Sequence, residues 1–510
     1  MSAAAPHPDA TPSRAPAAAS APASAPAPAS ASAAAQTPVT GQAPVTGQAP
    51  VTGQAPVTGQ APDTGQAPVA EQTSVAEQAP AAAKAPAAGP RLAWLDALRG
   101  IGALAVVAEH LLPWFLPGLR PYWFNLGVYG ILVFFLVSGY IIPTSLERHG
   151  DVRAFWISRF FRLYPLYLGV IVAVLALSWW VPVREAVPRD GSAVAAHATM
   201  LLDVVSVGGV ADTMWTLSYE MVFYLLVTAL FLTRGHDRSG LLSMLFAVAA
   251  VVVGLIVSGA VLKGTWPAYV SCAVFVVGLT GVVAGRLRTA SACVLGVMAV
   301  VLLLMSSRVP WLGAAVLAVM FAGTAVHRWE RGTGRLWPVA VTAVLVGIAP
   351  LWAIESGWWW VQADVWFTTI ALAGATFAGG MALRGRRLPR VLVWFGLISY
   401  SLYLVHHPVL KYFVQVSGDL RRAEAPYQVA MTALALALLV GVSALTYRYV
   451  ERPMQDLGRR ISRRYRDRPQ GGADARVAGQ GAGDDGVLGE QEGQVPDRVR
   501  DHVGQGDALR

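Results

Sequence analysis

Four ionisable residues share one apolar stretch. Asp96, Arg99, Glu109 and His110 lie within Trp94 to Leu112, which reads W-L-D-A-L-R-G-I-G-A-L-A-V-V-A-E-H-L-L. A charged side chain at bilayer depth costs at least ~2.5–3.5 kcal/mol, so each of these groups needs a partner or a function. Arg99 and His110 are eleven residues apart, about three helical turns at ~3.6 residues each, and so share a face with roughly 16 Å between them along the axis. One face then offers a fixed cation and, farther along, an imidazole able to act as a general base.

Four other clusters carry chemistry. Phe134 to Tyr140, F-F-L-V-S-G-Y, holds Ser138 and Gly139, small enough for close helix approach. Phe155 to Pro165, F-W-I-S-R-F-F-R-L-Y-P, places Arg159 and Arg162 one helical turn apart. Two guanidiniums on one face suit a phosphate gripped bidentately; plain anchoring at a membrane surface reads the same pair. Met214 to Tyr224, M-W-T-L-S-Y-E-M-V-F-Y, sets Glu220 and Tyr224 on one face, either as site members or with Glu220 as a structural partner of an arginine. Gly396 to Pro408, G-L-I-S-Y-S-L-Y-L-V-H-H-P, contributes Ser399, His406 and His407.

The elements that must position these groups are membrane spans. The chain has 510 residues, 55% hydrophobic and 14% charged, with a mean hydropathy of +0.49. Soluble domains average about 25% charged residues, so most of this chain belongs in a lipid bilayer. The net charge of +9 comes largely from arginines in short loops, which orient spans and do not imply a nucleic-acid partner. Cys272 and Cys293 fall in or beside apolar runs, which predicts buried thiols and neither a disulfide framework nor a metal site.

Twelve apolar runs follow Arg91, roughly at 93–113, 126–146, 164–183, 214–233, 241–262, 267–285, 289–306, 310–327, 336–353, 365–383, 391–413 and 427–447. Each approaches the ~20 residues that cross a bilayer. With the N-terminus inside, the inner loops carry fifteen arginines, from Arg148 to Arg390, against seven basic residues outside. That bias predicts both termini in the cytoplasm of a multi-pass plasma-membrane protein. The predicted fold is all-α: a bundle of about 12 transmembrane helices between disordered tails. Residues 1–90 form the first tail, Ala/Pro-rich with a hexad from Thr37 (TPVTGQ, three of APVTGQ, APDTGQ, APVAEQ, TSVAEQ). Residues 91–455 form the membrane domain, and 456–510 the second, polar tail. Neither tail has the large apolar residues that offset ordering entropy. On this topology Glu109, His110, Glu220 and His406 map to the outer half of the bilayer, and Arg159 and Arg162 to the inner mouth.

The run L-D-A-L-R-G with Arg99-x10-His110, then F-F-L-V-S-G, R-F-F-R-L-Y-P, W-T-L-S-Y-E, S-Y-S-L-Y-L-V-H and the closing Tyr449-Val450-Glu451-Arg452-Pro453 resembles the acyltransferase 3 family over roughly residues 91–455. The resemblance implies an integral-membrane O-acyltransferase that takes its acyl group from acyl-CoA and modifies sugars, envelope glycans or antibiotics. It gives Arg99 and His110 the family's signature roles, Arg159 and Arg162 the CoA phosphates, and Glu220 a place in the site. The chain departs from the family where many relatives carry Gly-x-Asp, since Gly130-Ile131-Leu132 stands there. The family core has ten spans rather than twelve, and the residues after 455 are too few for the esterase-like domain that some relatives append.

Together these readings predict donor entry from the cytoplasm, with phosphates against Arg159 and Arg162. His110 is the general base toward an acceptor hydroxyl, or carries the acyl group itself. Glu109 or Glu220 orients the imidazole, and Arg99 holds phosphate or the developing oxyanion. Ser138, Tyr224, Ser399 and His406 are further site candidates. A secondary transporter is the rival reading, since twelve spans and intramembrane charge suit both; the absence of similarity between the halves speaks against it.

Overall fold

The computed structural model describes residues 92–466 apart from 184, 186, 258 and 354–357. The first expected tail and the far end of the second lie outside these residues. All regular structure among the described residues is helical. In chain order the α-helices are α1 Ala93–Phe115, α2 Leu126–His149, α3 Val152–Ala176, α4 Gly191–Thr199, α5 Trp215–Leu232, α6 Ser239–Ile256, α7 Trp266–Ala284 and α8 Arg288–Met305. They continue with α9 Pro310–Glu330, α10 Trp337–Ile348, α11 Ala363–Ala382, α12 Arg390–Leu397, α13 Ser399–Ser417, α14 Ala425–Thr446 and α15 Arg452–Arg466.

Nine helical segments among the described residues are long and apolar enough to cross a membrane, or ten when α12 and α13, bent by 72°, are taken as one broken span. Two of the twelve apolar runs are not among them. One is α1, which carries Asp96, Arg99, Glu109 and His110; the other is the short segment Trp337–Trp352. The described chain is therefore a multi-pass membrane protein.

Local sequence sets the helix ends that matter for the site. The Asn125 side chain caps α2, accepting from the Val128 amide at 2.7 Å. Asp151 caps α3, accepting from the Arg153 and Ala154 amides at 2.9 and 3.1 Å. Caps of this kind contribute about 0.5–2 kcal/mol. Between α2 and α3, Gly150 has φ +65°, a left-handed turn that glycine adopts without strain. The third run, expected at 164–183, is corrected accordingly. The Asp151 cap starts the helix at Val152, and it ends at Ala176, so Arg159 and Arg162 ride on the span itself and not on a preceding loop. The boundary at 455 is also corrected. Helix α15 continues to Arg466 and packs on α3, where a side chain on Gly458 would meet Phe161. The two cysteines are half-buried rather than fully buried.

Two helices form the centre: α9, with 89% of its spanning window buried, and α5, with 67%. Small residues on α9 let α2 cross it backbone to backbone. A Cβ on Gly139 would overlap the Met320 carbonyl, and one on Gly323 the Leu136 carbonyl. Thr324 ties the crossing by donating to the Gly139 carbonyl at 2.8 Å. Helix α1 meets α12 in the same way, with Gly396 against the Asp96 carbonyl and Gly100 against that of Leu392. Close approach through small residues is the usual source of association in lipid, where burial of apolar surface gives helices no advantage over contact with acyl chains.

This geometry predicts that Gly396→Leu forces α12 away from α1 and destabilises the bundle by about 1–3 kcal/mol. Thermal unfolding in detergent should show a lower midpoint. Gly441→Leu on α14, where an added Cβ meets nothing within 4 Å, should leave the midpoint unchanged.

Candidate active site

Four helices and one helix start line a slot of about 580 Å³, its open mouth included, between the centre of the bundle and α1. Arg99 comes from α1, Ser138 with Phe134 and Phe135 from α2, Arg162 from α3, Thr216 and Glu220 from α5, and Ser399, Tyr400 and Tyr403 from α13. The bend at Ile398 starts α13 at this wall, so Ser399 and Tyr400 stand at a helix N-terminus inside the bundle. A continuous helix would direct those first residues along the lipid-crossing axis instead. The sequence candidates Arg99, Arg162, Glu220, Ser138 and Ser399 are thus brought together. Tyr224, one turn below Glu220, donates its hydroxyl to that carboxylate. Ser399 Oγ is buried without a hydrogen-bond partner.

Charge balance in the slot is incomplete. Arg99 and Arg162 make no hydrogen bond or ion pair among the described residues, and Arg162 Nε is buried without a partner. The charges that act on Arg99 are Arg162, Asp96, Glu451 and Glu220; Glu220 and Glu451 also act on Arg162. Glu451 was quoted as part of a motif but given no role from sequence, and it is the carboxylate the sequence reading missed. It is 4% exposed, accepts from Ser401 Oγ at 2.6 Å and from Gln455 Nε2 at 2.9 Å, and ends a π-helical turn, Tyr447–Glu451. Single π turns often mark functional positions. The available signal was a lone carboxylate between Tyr449 and Arg452 at the end of an apolar run.

His110 lies outside the slot, in a cluster of three imidazoles. Its ring is 5.0 Å from that of His406 and 5.6 Å from that of His407, centroid to centroid. Tyr403 joins the two regions, its ring 6.0 Å from Phe134 and 5.8 Å from His406. The hydrogen bonds assign the protons. His110 Nδ1 lies 2.9 Å from the Val106 carbonyl and His406 Nδ1 3.1 Å from that of Leu402. Carbonyl oxygens only accept, so both Nδ1 atoms carry hydrogen and, in the neutral rings, both Nε2 atoms carry lone pairs. His406 Nε2 then faces the His110 Nδ1–H at 3.4 Å, and His110 Nε2 remains a free base. His406 is fully buried while His110 is half-buried.

Among the described residues the hydrogen bonds of Glu109 go to Arg120 and Asn125 and none goes to His110: the Arg120 guanidinium donates to Glu109 Oε1 at 2.5 Å and Asn125 Nδ2 donates to the same oxygen at 3.4 Å, while Oε2 is buried without a partner. Arg120 in turn stacks over Trp359, 4.8 Å from its ring. Nor is Glu220 hydrogen-bonded to the imidazole; the groups that hold it are the Val106 carbonyl and His406. Arg159 and Arg162 also part company. Arg162 enters the slot, whereas Arg159 faces a separate cavity lined by Ser145, Asp151, Ser158, Arg459, Ser462 and Arg463. Arg159 is 8% exposed and lies over the rings of Phe155 and Tyr224, at 5.1 and 5.3 Å. Beside the N-terminal turn of α5, burial pushes the Asp203 carboxyl above the ordinary carboxylate range, against the pull of the Tyr219 hydroxyl and Arg308.

A family model described as an acyltransferase domain matches residues 92–448. A second, described as a trappin protein transglutaminase binding domain, matches 34–61 and 56–84, over the hexad repeats. Acyltransferase MdmB of Streptomyces mycarofaciens is 28% identical over 408 residues, covering 72% of this chain and 93% of its own length. O-acetyltransferase OatA of Staphylococcus aureus is 23% identical over 385 residues, 71% of this chain, which spans 57% of that relative. The peptidoglycan O-acetyltransferase OatA of Listeria monocytogenes is 28% identical over 155 residues, 27% of this chain and 24% of its own. No solved structure matches the chain.

Because the hydrogen bonds of Glu109 go to Arg120 and Asn125 and not to His110, Glu109→Gln should lower thermal stability by about 1–3 kcal/mol, the penalty of leaving a partly buried charge unpaired. The imidazole resonances of His110 and His406, followed by NMR of histidine-labelled protein, should stay in place. A displaced His110 signal would couple Glu109 to the imidazole.

Proposed function

The chain belongs to the acyltransferase 3 family, matched over residues 92–448, and from that premise we propose that it moves an acyl group from acyl-CoA to a hydroxyl of a carbohydrate, cell-envelope glycan or glycosylated metabolite. The observation that carries this reading is the juxtaposition of an imidazole with a free Nε2 lone pair and a slot holding two arginines without ion-pair partners. The names of the relatives, one an acyltransferase and two O-acetyltransferases, one of these acting on peptidoglycan, support a hydroxyl acceptor.

In this mechanism His110 Nε2 takes the proton of the acceptor hydroxyl as its oxygen attacks the thioester carbonyl. The new C–O bond forms, the C–S bond breaks, and the proton passes from Nε2 to the departing sulfur, giving the acyl ester and CoA. As His110 becomes an imidazolium, its Nδ1–H has two acceptors, the Val106 carbonyl and His406 Nε2, and both stabilise the charge. Acyl transfer onto Nε2 before attack by the acceptor is the close variant. Arg99 and Arg162 stabilise negative charge that the donor holds at a distance from its reactive carbonyl. Glu220 and Glu451 supply those guanidiniums with opposite charge at a distance, Tyr224 fixes the Glu220 carboxylate, and Ser138 and Ser399 offer hydroxyls to the donor's amide-bearing arm.

The same reading sets both termini and the Arg159 cavity on the cytoplasmic side of the plasma membrane, supported by the alternating arginine bias of the loops. It counts α1, whose 23 residues extend about 34 Å at 1.5 Å per residue, and the short Trp337–Trp352 segment as further crossings beside the ten, an even number that leaves both termini on one side. Residues 1–90 have no part in the chemistry.

His110→Ala should lower turnover by about 10²–10⁴-fold with membrane insertion and expression unchanged. His406→Ala should lower kcat while leaving the apparent KM for both substrates near the wild-type value, because the interaction it removes strengthens only as His110 charges. Thioester consumption by the purified protein in nanodiscs measures both. Near-normal turnover of His110→Ala would overturn the mechanism.

A further inference from the structure

Helix α15 is an arginine-rich segment docked where no span requires it. Its sequence, R-P-M-Q-D-L-G-R-R-I-S-R-R-Y-R, is far too polar to lie in hydrocarbon. It packs on α3 all the same, through Gly458 against Phe161 and the buried Ser462, whose hydroxyl donates to the Ala154 carbonyl at 3.4 Å. That docking sets Arg459 and Arg463, one turn apart, across a cavity from Arg159. The cavity contains about 800 Å³ including its open mouth.

Its polar lining is Arg159, Arg459, Arg463, Ser145, Ser158, Ser462 and one acid, Asp151, whose carboxylate oxygen is occupied in capping α3. Asp456 pairs with Arg459 from outside the cavity. Three guanidiniums against these two carboxylates leave the site positive. The buried member decides what it is for. Arg159 is more than nine-tenths buried, makes no hydrogen bond or ion pair among the described residues, and has an unpartnered buried Nε. Two aromatic faces hold its guanidinium in position without neutralising it. A guanidinium kept dry, oriented and unpaired is arranged for an anion that arrives from elsewhere.

We propose that the cavity between α3 and α15 is a phosphate-binding site in which Arg159 grips from the α3 wall, while Arg459 and Arg463 close over the ligand from α15. The chemistry is that of a phosphate ester, available either from the nucleotide part of CoA or from an anionic lipid headgroup. The donor form rests on the acyl-CoA reading above. In that form the phosphates stay at the mouth with Arg159, and the acyl-bearing arm runs inward past Arg162 to the slot. The Ser158 hydroxyl adds a neutral donor for a remaining phosphate oxygen.

The test uses the full chain in nanodiscs of neutral lipid and measures CoA and pantetheine binding calorimetrically for wild type, Arg459→Ala/Arg463→Ala and the double Lys variant. If the donor fills the site, the Ala pair raises the Kd for CoA roughly 10-fold or more, as loss of charge-assisted contacts predicts. The Lys pair recovers part of that loss, and pantetheine, which has no phosphate, binds all three proteins equally. A second arm replaces a third of the lipid with phosphatidylglycerol and follows thermal unfolding. Stabilisation of wild type but not of the Ala pair, with CoA affinity the same in both, keeps the phosphate site and assigns it to lipid. Wild type that binds no CoA overturns the donor reading of the previous subsection, and the lipid arm then decides this one. Equal behaviour of wild type and the Ala pair in both arms overturns the site.

Discussion

Three guanidiniums, those of Arg99, Arg159 and Arg162, sit inside a helical membrane protein with no ion-pair partner among the described residues. Even after relaxation, an unpaired buried ion costs several kcal/mol, and that penalty shapes much of the surrounding structure. Glu220 and Glu451 supply opposite charge at a distance, each fixed by its own hydroxyl donor, Tyr224 or Ser401. Phe155 and Tyr224 give Arg159 aromatic faces, worth about 0.5–2 kcal/mol. These arrangements lower the penalty without removing it. On the proposed function an anionic donor would supply the balance, and without it the protein is destabilised at these positions.

How much of this was legible in sequence depended on whether the relevant geometry was local. Arg99 and His110 share a helix, so their common face followed from spacing alone, as did the contact of Tyr224 with Glu220. Ser138 and Gly139 of α2 announced close packing, whereas the α9 glycine at the same crossing, Gly323, went unremarked. The Arg120 partner of Glu109 was not legible because it lies in the next loop, where no periodicity fixes a side chain. Glu451 was underused because a π turn leaves no sequence signature, and its neighbours Arg99 and Arg162 are some three hundred residues earlier. The start of α3 was placed late because Phe155 to Pro165 is rich in arginine, which hydropathy counts against a span although the Asp151 cap begins one there.

The histidines illustrate how backbone can do the work usually given to a carboxylate. In many sites an acid selects the tautomer of a catalytic imidazole. Here the carbonyls of Val106 and Leu402, each four residues before its histidine, do so within the helices themselves. A carboxylate at that position would add a second buried charge to be balanced. A neutral imidazole adds none, and it still accepts a hydrogen bond when His110 becomes cationic. The unpaired arginines thus stand in the slot, while the direct hydrogen-bond partners of His110 are a backbone carbonyl and a second imidazole.

The crossing of α1 and α12 has a consequence for donor choice. Gly100 and Gly396 lock the two backbones together, so α1 cannot slide, and the separation of roughly 16 Å between Arg99 and His110 along its axis acts as a ruler. A donor whose anionic group and reactive carbonyl are joined by a long flexible arm can engage both marks on that ruler at once. A compact donor, such as an acyl phosphate, has the two adjacent and can occupy one mark or the other but not both. On the proposed function the rigid helix would therefore select donors by the distance between charge and reactive carbon, whatever acyl group they deliver.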